Sequence, residues 1–223
     1  MSSNQGERPV ISLLGTTALL FEAPGDLELT TQQRIWALAI EAGKWPEAGE
    51  AVPGMNNMML TFSTPPRDLS ALRVRLLAAW DHCSALPLEG RIIDLPVIYG
   101  GDDFGPHMAD VVAHTGLSID DIVELHSAPL YPVYALGSHP GFCYLGGMDP
   151  RIATPRRKVP ITNLPGGAVS IGGVQTGVSA SAGPSGWNTI GRTTMSFFDL
   201  AQDPPILCAP GDLVRFRVER VIR

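Results

Sequence analysis

Two periodicities share the first part of the chain. Val10–Leu14 and Ala18–Glu22 are short β-type runs broken at Gly15, which predicts a pair of strands. From Thr30 to Gly43 the spacing turns helical. Ile35, Leu38, Ala39 and Ala42 form one apolar stripe, Thr30 with Gln33 makes a capping box, and Gly43 stands at the stop position. Asn57–Phe62 predicts a third strand. Asp68–Cys83 predicts a second helix with Leu69, Leu72, Leu76 and Trp80 on one face. Arg91–Tyr99 reads as a fourth strand, which Pro96 places at an edge or a bend. The order ββαβαβ predicts a compact α+β domain with its helices on one face of a sheet.

Pro106 to Leu125 reads as a helical pair, with Gly116 ending the first helix and Ser118 with Asp121 capping the second. After His126 the pattern changes. Short β runs follow at Tyr131–Leu136, Ala168–Ile171, Gly177–Ser179, Thr194–Phe198 and Leu213–Val218, separated by Gly/Pro turns. Frequent turns with few helical periods predict a closed or nearly closed β-barrel, or a sandwich. The boundary falls near Leu88–Gly90, giving an α+β domain over residues 1–88 and a β-rich domain over 89–223.

Composition narrows the function. The 223 residues are 44% hydrophobic and 17% charged, a globular mixture rather than a disordered one. No apolar run reaches the roughly 18 residues that span a bilayer, so no membrane role is expected. Met1–Pro9 is polar, lacks a signal-peptide core and reads as a short loose tail. Cys83, Cys143 and Cys208 are odd in number and form no CxxC pair, which suits a reducing cytoplasm better than a disulfide framework or a zinc knuckle. The net charge of −6 argues against general nucleic-acid binding. The charge is uneven, however. Between Gly137 and Phe198, Arg151, Arg156, Arg157, Lys158 and Arg192 face a single acid, Asp149. Half of the 24 glycines also fall between Gly137 and Gly191. A basic island in an acidic chain suits a small anionic ligand or an acidic partner patch; a solvated basic loop would read the same way. Tight loops around one cavity, or ordinary hairpin turns, would each use such glycines.

No self-sufficient catalytic motif is present: no GxxxxGK[ST], no strand–GxGxxG–helix unit, no HExxH, no metal-spaced cluster and no GxSxG elbow. That favours a subunit or a binding module. His126 ends a predicted helix, where the dipole would raise its pKa; it reads either as an acid or donor to an anionic substrate, or as a structural cap. Arg156 and Arg157 are planar forks suited to a carboxylate or phosphate, with one of the pair expected to face water. Gln175 and Thr176 offer an amide and a hydroxyl to orient a polar ligand. Tyr144 offers a hydroxyl and Phe142 an apolar wall, while Trp187 is a wall or, slightly favoured, a plug of the barrel. Cys143 has no adjacent base and reads as small packing.

These residues carry a resemblance. Tyr99-Gly100-Gly101, Phe104-Gly105-Pro106, Leu125-His126-Ser127 and Pro140-Gly141-Phe142-Cys143-Tyr144-Leu145-Gly146-Gly147-Met148-Asp149 follow in order. Then come Thr154-Pro155-Arg156-Arg157, Gly172-Gly173-Val174-Gln175-Thr176-Gly177, Gly186-Trp187 and Ile190-Gly191-Arg192-Thr193. The chain resembles the KipI/PxpB family, also described as allophanate hydrolase subunit 1 or carboxyltransferase subdomain C/D, over nearly its whole length. The resemblance implies an α+β fold: a small ferredoxin-like N-terminal domain followed by a cyclophilin-like β-barrel domain. It implies a cytoplasmic subunit of ATP-dependent 5-oxoprolinase, which opens 5-oxoproline to L-glutamate, with ATP as co-substrate of the assembled complex. KipA/PxpC-type and PxpA-type chains would be the partners. Alternatives are a KipI-like inhibitor of a histidine kinase and a carboxyltransferase-type subunit acting on a urea or amide. With His126, Arg156, Arg157 and Gln175 as catalytic candidates, the substrate-binding candidates are Tyr144, Phe142, Gly146, Gly147, Gly173, Thr176, Trp187 and Arg192; no metal ligand is expected. The chain departs from the family pattern at His107 after Pro106, at Ser138 in Gly137-Ser138-His139-Pro140-Gly141-Phe142, at Val178-Ser179-Ala180 and at Ser185-Gly186, where the pocket is expected.

Overall fold

The computed structural model describes residues 8–223; residues 1–7, most of the expected Met1–Pro9 tail, lie outside the described residues. The chain divides into two compact units, Met1–Pro87 and Leu88–Arg223.

In the first unit, β1 (Val10–Leu13), β2 (Ala18–Glu22), α1 (Leu29–Ala42), β3 (Ala51–Pro53), β4 (Asn57–Thr61) and α2 (Leu69–His82) follow in order. The sheet runs β1-β2-β4-β3 with antiparallel neighbours. The order is thus ββαββα, since the strand after α2 belongs to the second unit and the short β3 escaped the hydrophobic pattern. The ferredoxin-like order βαββαβ is not followed, although β2, α1 and β3 form a split βαβ unit with β4 inserted between the strands. Period-2 alternation sends Leu19 and Phe21 of β2, and Met58 and Leu60 of β4, to one face. There they bury against Ile35, Leu38 and Ala42 of α1 and Leu72, Leu76 and Trp80 of α2. Thr30 does not cap α1: Glu28 is the N-cap residue, without a side-chain bond, and Gly43 ends the helix in ordinary right-handed backbone. Asp68 does cap α2, accepting from the Ala71 amide at 2.9 Å.

The second unit is built on a closed seven-stranded barrel. Its strands are β5 (Ile92–Gly100), β6 (Tyr131–Leu136), β7 (Cys143–Leu145), β9 (Ala168–Gly172), β10 (Gln175–Val178), β12 (Asn188–Arg192) and β13 (Leu213–Ile222). They close in the order β10-β7-β6-β13-β5-β12-β9, with β5–β13 the one parallel pair. A separate ribbon pairs β8 (Ile161–Leu164) with β11 (Gly183–Ser185). The short α3 (Gly101–Phe104), α4 (Met108–Thr115) and α5 (Ile119–Ser127) lie between β5 and β6. Gly116 takes the left-handed conformation after α4, and Ser118 with Asp121 forms a capping box on α5.

Two expected strands differ. Pro96 lies in the barrel wall, yet β12 pairs with β5 only at Ile98 and Tyr99, so at Pro96 the strand has β13 as its single neighbour. Thr194–Phe198 is irregular, and β12 precedes it instead. Gly191 hides that strand in the sequence: a Cβ there would meet Val97 Cγ1 at 2.8 Å and Ile98 O at 2.9 Å, beside a bulge in the β12–β9 register.

Asp212 joins the starts of β5 and β13. Its carboxylate accepts from the Arg91 amide at 3.0 Å, the Arg91 guanidinium at 2.7 Å and the Ala209 amide at 2.9 Å. Burial opposes its charge, but these bonds more than offset it and hold the carboxyl below its usual range. Asp212→Ala leaves two backbone amides without their acceptor and is expected to destabilise the protein by roughly 2–4 kcal/mol. The shift of the urea unfolding midpoint measures it.

Candidate functional site

β7, β9 and β10 carry two different surfaces. Cys143, Leu145, Val169, Ile171 and Val178 point into the barrel core. The intervening residues, Tyr144, Ser170 and Gly177, stand opposite one another on the outer face. A cleft of about 180 Å³ opens on that outer face. Its floor is Ser170 and Gly177, and its walls include Phe142, Tyr144, Trp187 and His139, with Arg156 at the rim. Larger hollows of about 520 and 560 Å³ lie on the first unit. They hold none of the glycine-rich residues, so the smaller cleft is the better candidate.

The aromatic wall follows from two missing side chains. A Cβ on Gly172 would lie 2.5 Å from the Trp187 ring, and one on Gly177 would lie 3.2 Å from Phe142 and 3.3 Å from Trp187. Trp187 therefore lies flat against the outside of the barrel, 8% exposed, and is not its plug. Phe142 and Tyr144 meet edge-to-face at 4.8 Å, and Phe142 meets Trp187 at 6.0 Å.

Arg156 is placed by its neighbours. Asn188 Nδ2 donates to Pro155 O at 2.8 Å, and the Arg157 amide donates to Gly186 O at 2.7 Å. Between these anchors the exposed Arg156 guanidinium stands 5.7 Å from the Trp187 ring centroid. It is the one charged residue among those lining the cleft. Arg157 turns away and pairs with Asp110 of α4, so the expected two-arginine clamp reduces to one arginine.

His126 sits in the barrel core, fully buried. Phe216 stacks on it at 4.5 Å, and its carbonyl accepts from Tyr131 Oη at 2.7 Å. Thr176 Oγ1 donates to Ser170 O at 3.1 Å, so it accepts from His126 Nε2 at 2.9 Å. Nδ1 is then the acceptor for Tyr99 Oη at 2.9 Å. The imidazole is neutral and fully satisfied. The helix dipole was expected to raise its pKa; burial wins and lowers it to about 3. His126 and Thr176 therefore hold β9 and β10 together from inside, and neither reaches the cleft.

Other expected site residues also lie elsewhere. Gln175 shares the outer face but sits at the β9–β10 hairpin end, away from the cleft lining. Gly173 has φ +66° in that two-residue turn and exchanges backbone bonds with Thr154. Gly146 lies under the Tyr134 ring, Gly147 takes φ +86°, and Arg192 Nε donates to Gly166 O at 3.2 Å. Cys143 is buried beside Cys208; the Cys208 contact first, then burial, pushes its thiol up, which removes it as a nucleophile. His107 belongs to the scaffold, its Nδ1 accepting from the Thr189 amide at 2.8 Å. Among the described residues no His/Cys/Asp/Glu group is spaced to hold a metal ion.

Several cleft residues, among them His139, Ser179 and Ser185, were not among the expected site residues. His139 stacks edge-on against Phe142 at 5.3 Å. Ser179 and Ser185 also line the cleft. Part of the signal was present: Ser179 and Ser185 fall at departures from the family pattern, and His139 directly follows the departure at Ser138.

The neutral His126 has a measurable consequence. Its folded pKa lies below the ordinary 6.5, so the stability it contributes is present above about pH 6.5 and is lost as pH falls toward about 3. The wild-type urea midpoint should decline through that window, and His126→Asn should show a flatter dependence. His107 and His139, also lowered by burial, titrate in both proteins and cancel in the comparison.

Residues 9–208 match the family described as carboxyltransferase domain, subdomain C and D. The chain is 46% identical over 204 residues to the B-type subunit of 5-oxoprolinase from Escherichia coli O157:H7, covering 92% of this chain and 93% of that one. It is 36% identical over 208 residues to the corresponding B-type 5-oxoprolinase chain of Haemophilus influenzae, covering 93% and 97%. Among solved structures it superposes on TTHA0988 with a TM-score of 0.74 at 32% identity, covering 92% of this chain and 40% of that one.

Proposed function

The chain belongs to the carboxyltransferase subdomain C and D family, and on that premise we propose that it is the B-type subunit of a 5-oxoprolinase, binding 5-oxoproline in the outer cleft of its barrel. The observation that carries this reading is the charge of the cleft. Arg156, backed by the Trp187 ring, is the one charged residue lining a small aromatic hollow. A compact ring bearing one carboxylate matches it in size, flatness and sign. The relatives named as B-type chains of 5-oxoprolinase support the same assignment over nearly their full length.

In this role the protein positions its substrate. Arg156 fixes the carboxylate, and the Phe142–Tyr144–Trp187 wall holds the ring and excludes water from one side. ATP fits this cleft poorly. The cleft is smaller than the ~300 Å³ at which ligand pockets ordinarily begin. Its lining also carries one cation and no phosphate-cradling loop. The nucleotide step, and the completion of the catalytic site, therefore fall in this proposal to KipA/PxpC-type and PxpA-type partner chains.

Co-expression with those chains is expected to give glutamate formation from 5-oxoproline together with ATP hydrolysis. Arg156→Ala should lower kcat/KM roughly 10- to 100-fold, the loss of one charge-assisted hydrogen bond. Arg157→Ala should act mainly on stability, through Asp110. No activity in any mixture, with inhibition of a histidine kinase by this chain alone, would replace this reading with the inhibitor role.

A further inference from the structure

Two features of the cleft remain after its aromatic wall and Arg156 are accounted for. The first is a side-chain atom. His139 Nε2 is buried and has no hydrogen-bond partner. An unsatisfied buried nitrogen is costly, and His139 is one of the residues lining the cleft.

The second is a backbone conformation. Ser138, directly before His139, has φ +65°. Left-handed backbone at a residue with a Cβ is uncommon and is sustained only where surrounding structure demands it. Here the loop is closed on both sides: the Gly137 amide donates to Phe142 O at 3.2 Å, the His139 amide to Gly137 O at 2.8 Å and the Phe142 amide to His139 O at 3.1 Å. The strained turn sets the imidazole against Phe142, among the residues lining the cleft.

We propose that His139 is a specificity-determining residue that contacts the substrate: its Nε2 hydrogen-bonds the lactam amide of 5-oxoproline while Arg156 holds the carboxylate. This rests on the function proposed above. The lactam offers both an N–H donor and a carbonyl acceptor, so either neutral tautomer finds a partner. The neutral form is favoured, because burial lowers the pKa of His139 below its ordinary 6.5. A site built around that hydrogen bond rejects a ring that lacks both the lactam N–H and its carbonyl, because Nε2 then stays unpaired in either tautomer. Cyclopentanecarboxylate is such a ring.

The test uses the assembled complex. His139→Phe keeps a ring against Phe142 and removes both nitrogens; His139→Gln restores a polar group at similar reach. The expected result is a KM for 5-oxoproline raised about tenfold or more in His139→Phe, with kcat changed far less, as for a contact made equally in ground and transition states. Most of that loss should return in His139→Gln, and cyclopentanecarboxylate should compete more effectively against 5-oxoproline in His139→Phe than in wild type. Thermal melting of each variant separates these effects from misfolding. An active complex in which His139→Phe leaves KM within about twofold of wild type, or in which both variants lose equally, overturns the assignment of His139 and leaves the function standing. A complex inactive with wild-type protein overturns the function and this assignment together.

Discussion

The site depends on the two-residue period of β10. Thr176 and Gly177 are neighbours in the chain and act on opposite sides of the barrel wall. Thr176 is fixed from inside by a neutral histidine, through a chain of hydrogen bonds in which each donor has one acceptor. Gly177, held in place by that bond, leaves room outside for Phe142 and Trp187. A slip of one residue would send a hydroxyl into the cleft and open a hole beneath His126. Core and site are two faces of one register.

This arrangement also explains how the sequence misleads at His126. A histidine at a helix end beside a glycine-rich basic stretch has the profile of an acid catalyst. What decides its role is the dielectric around it, which is set by Phe216, Tyr131 and Tyr99, residues separated from it in sequence by as many as 90 positions. The helix dipole acts over a turn, and desolvation acts on the whole ring; for a fully buried imidazole the second outweighs the first. The same reasoning separates Arg156 from Arg157. Adjacent residues on an extended segment point in opposite directions, and only the tertiary position of Asp110 shows which one is engaged elsewhere.

Much of the scaffold was legible. Alternation in Ala18–Glu22 and Asn57–Phe62, the apolar face of Asp68–Cys83 and the Ser118–Asp121 box all mark elements that form for local reasons. The missed strands β3, β7, β8 and β11 have three or four residues each, too short for a period to declare itself. The missed β12 carries a glycine demanded by the close approach of β5. Of the candidate site residues, Tyr144, Phe142, Arg156 and Trp187 converge on the cleft. Gln175, Thr176, Arg192 and the glycines at 146, 147 and 173 mark the turns and strand contacts that build it. Glycine density located the cleft but could not separate its lining from its supports.

The segment carrying Arg156 is tied to the barrel almost entirely through main-chain atoms. Thr154 exchanges bonds with Gly173, and the Arg157 amide reaches Gly186 O. Such anchors are indifferent to side-chain identity, so neighbouring positions are open to drift while the guanidinium stays where it is. Asn188, which grips Pro155 O with its side chain, is the exception. The rim can therefore change its chemistry by substitution at a few outward-facing positions without the frame being rebuilt. Lineages of this fold can in that way acquire new ligands on an inherited cleft.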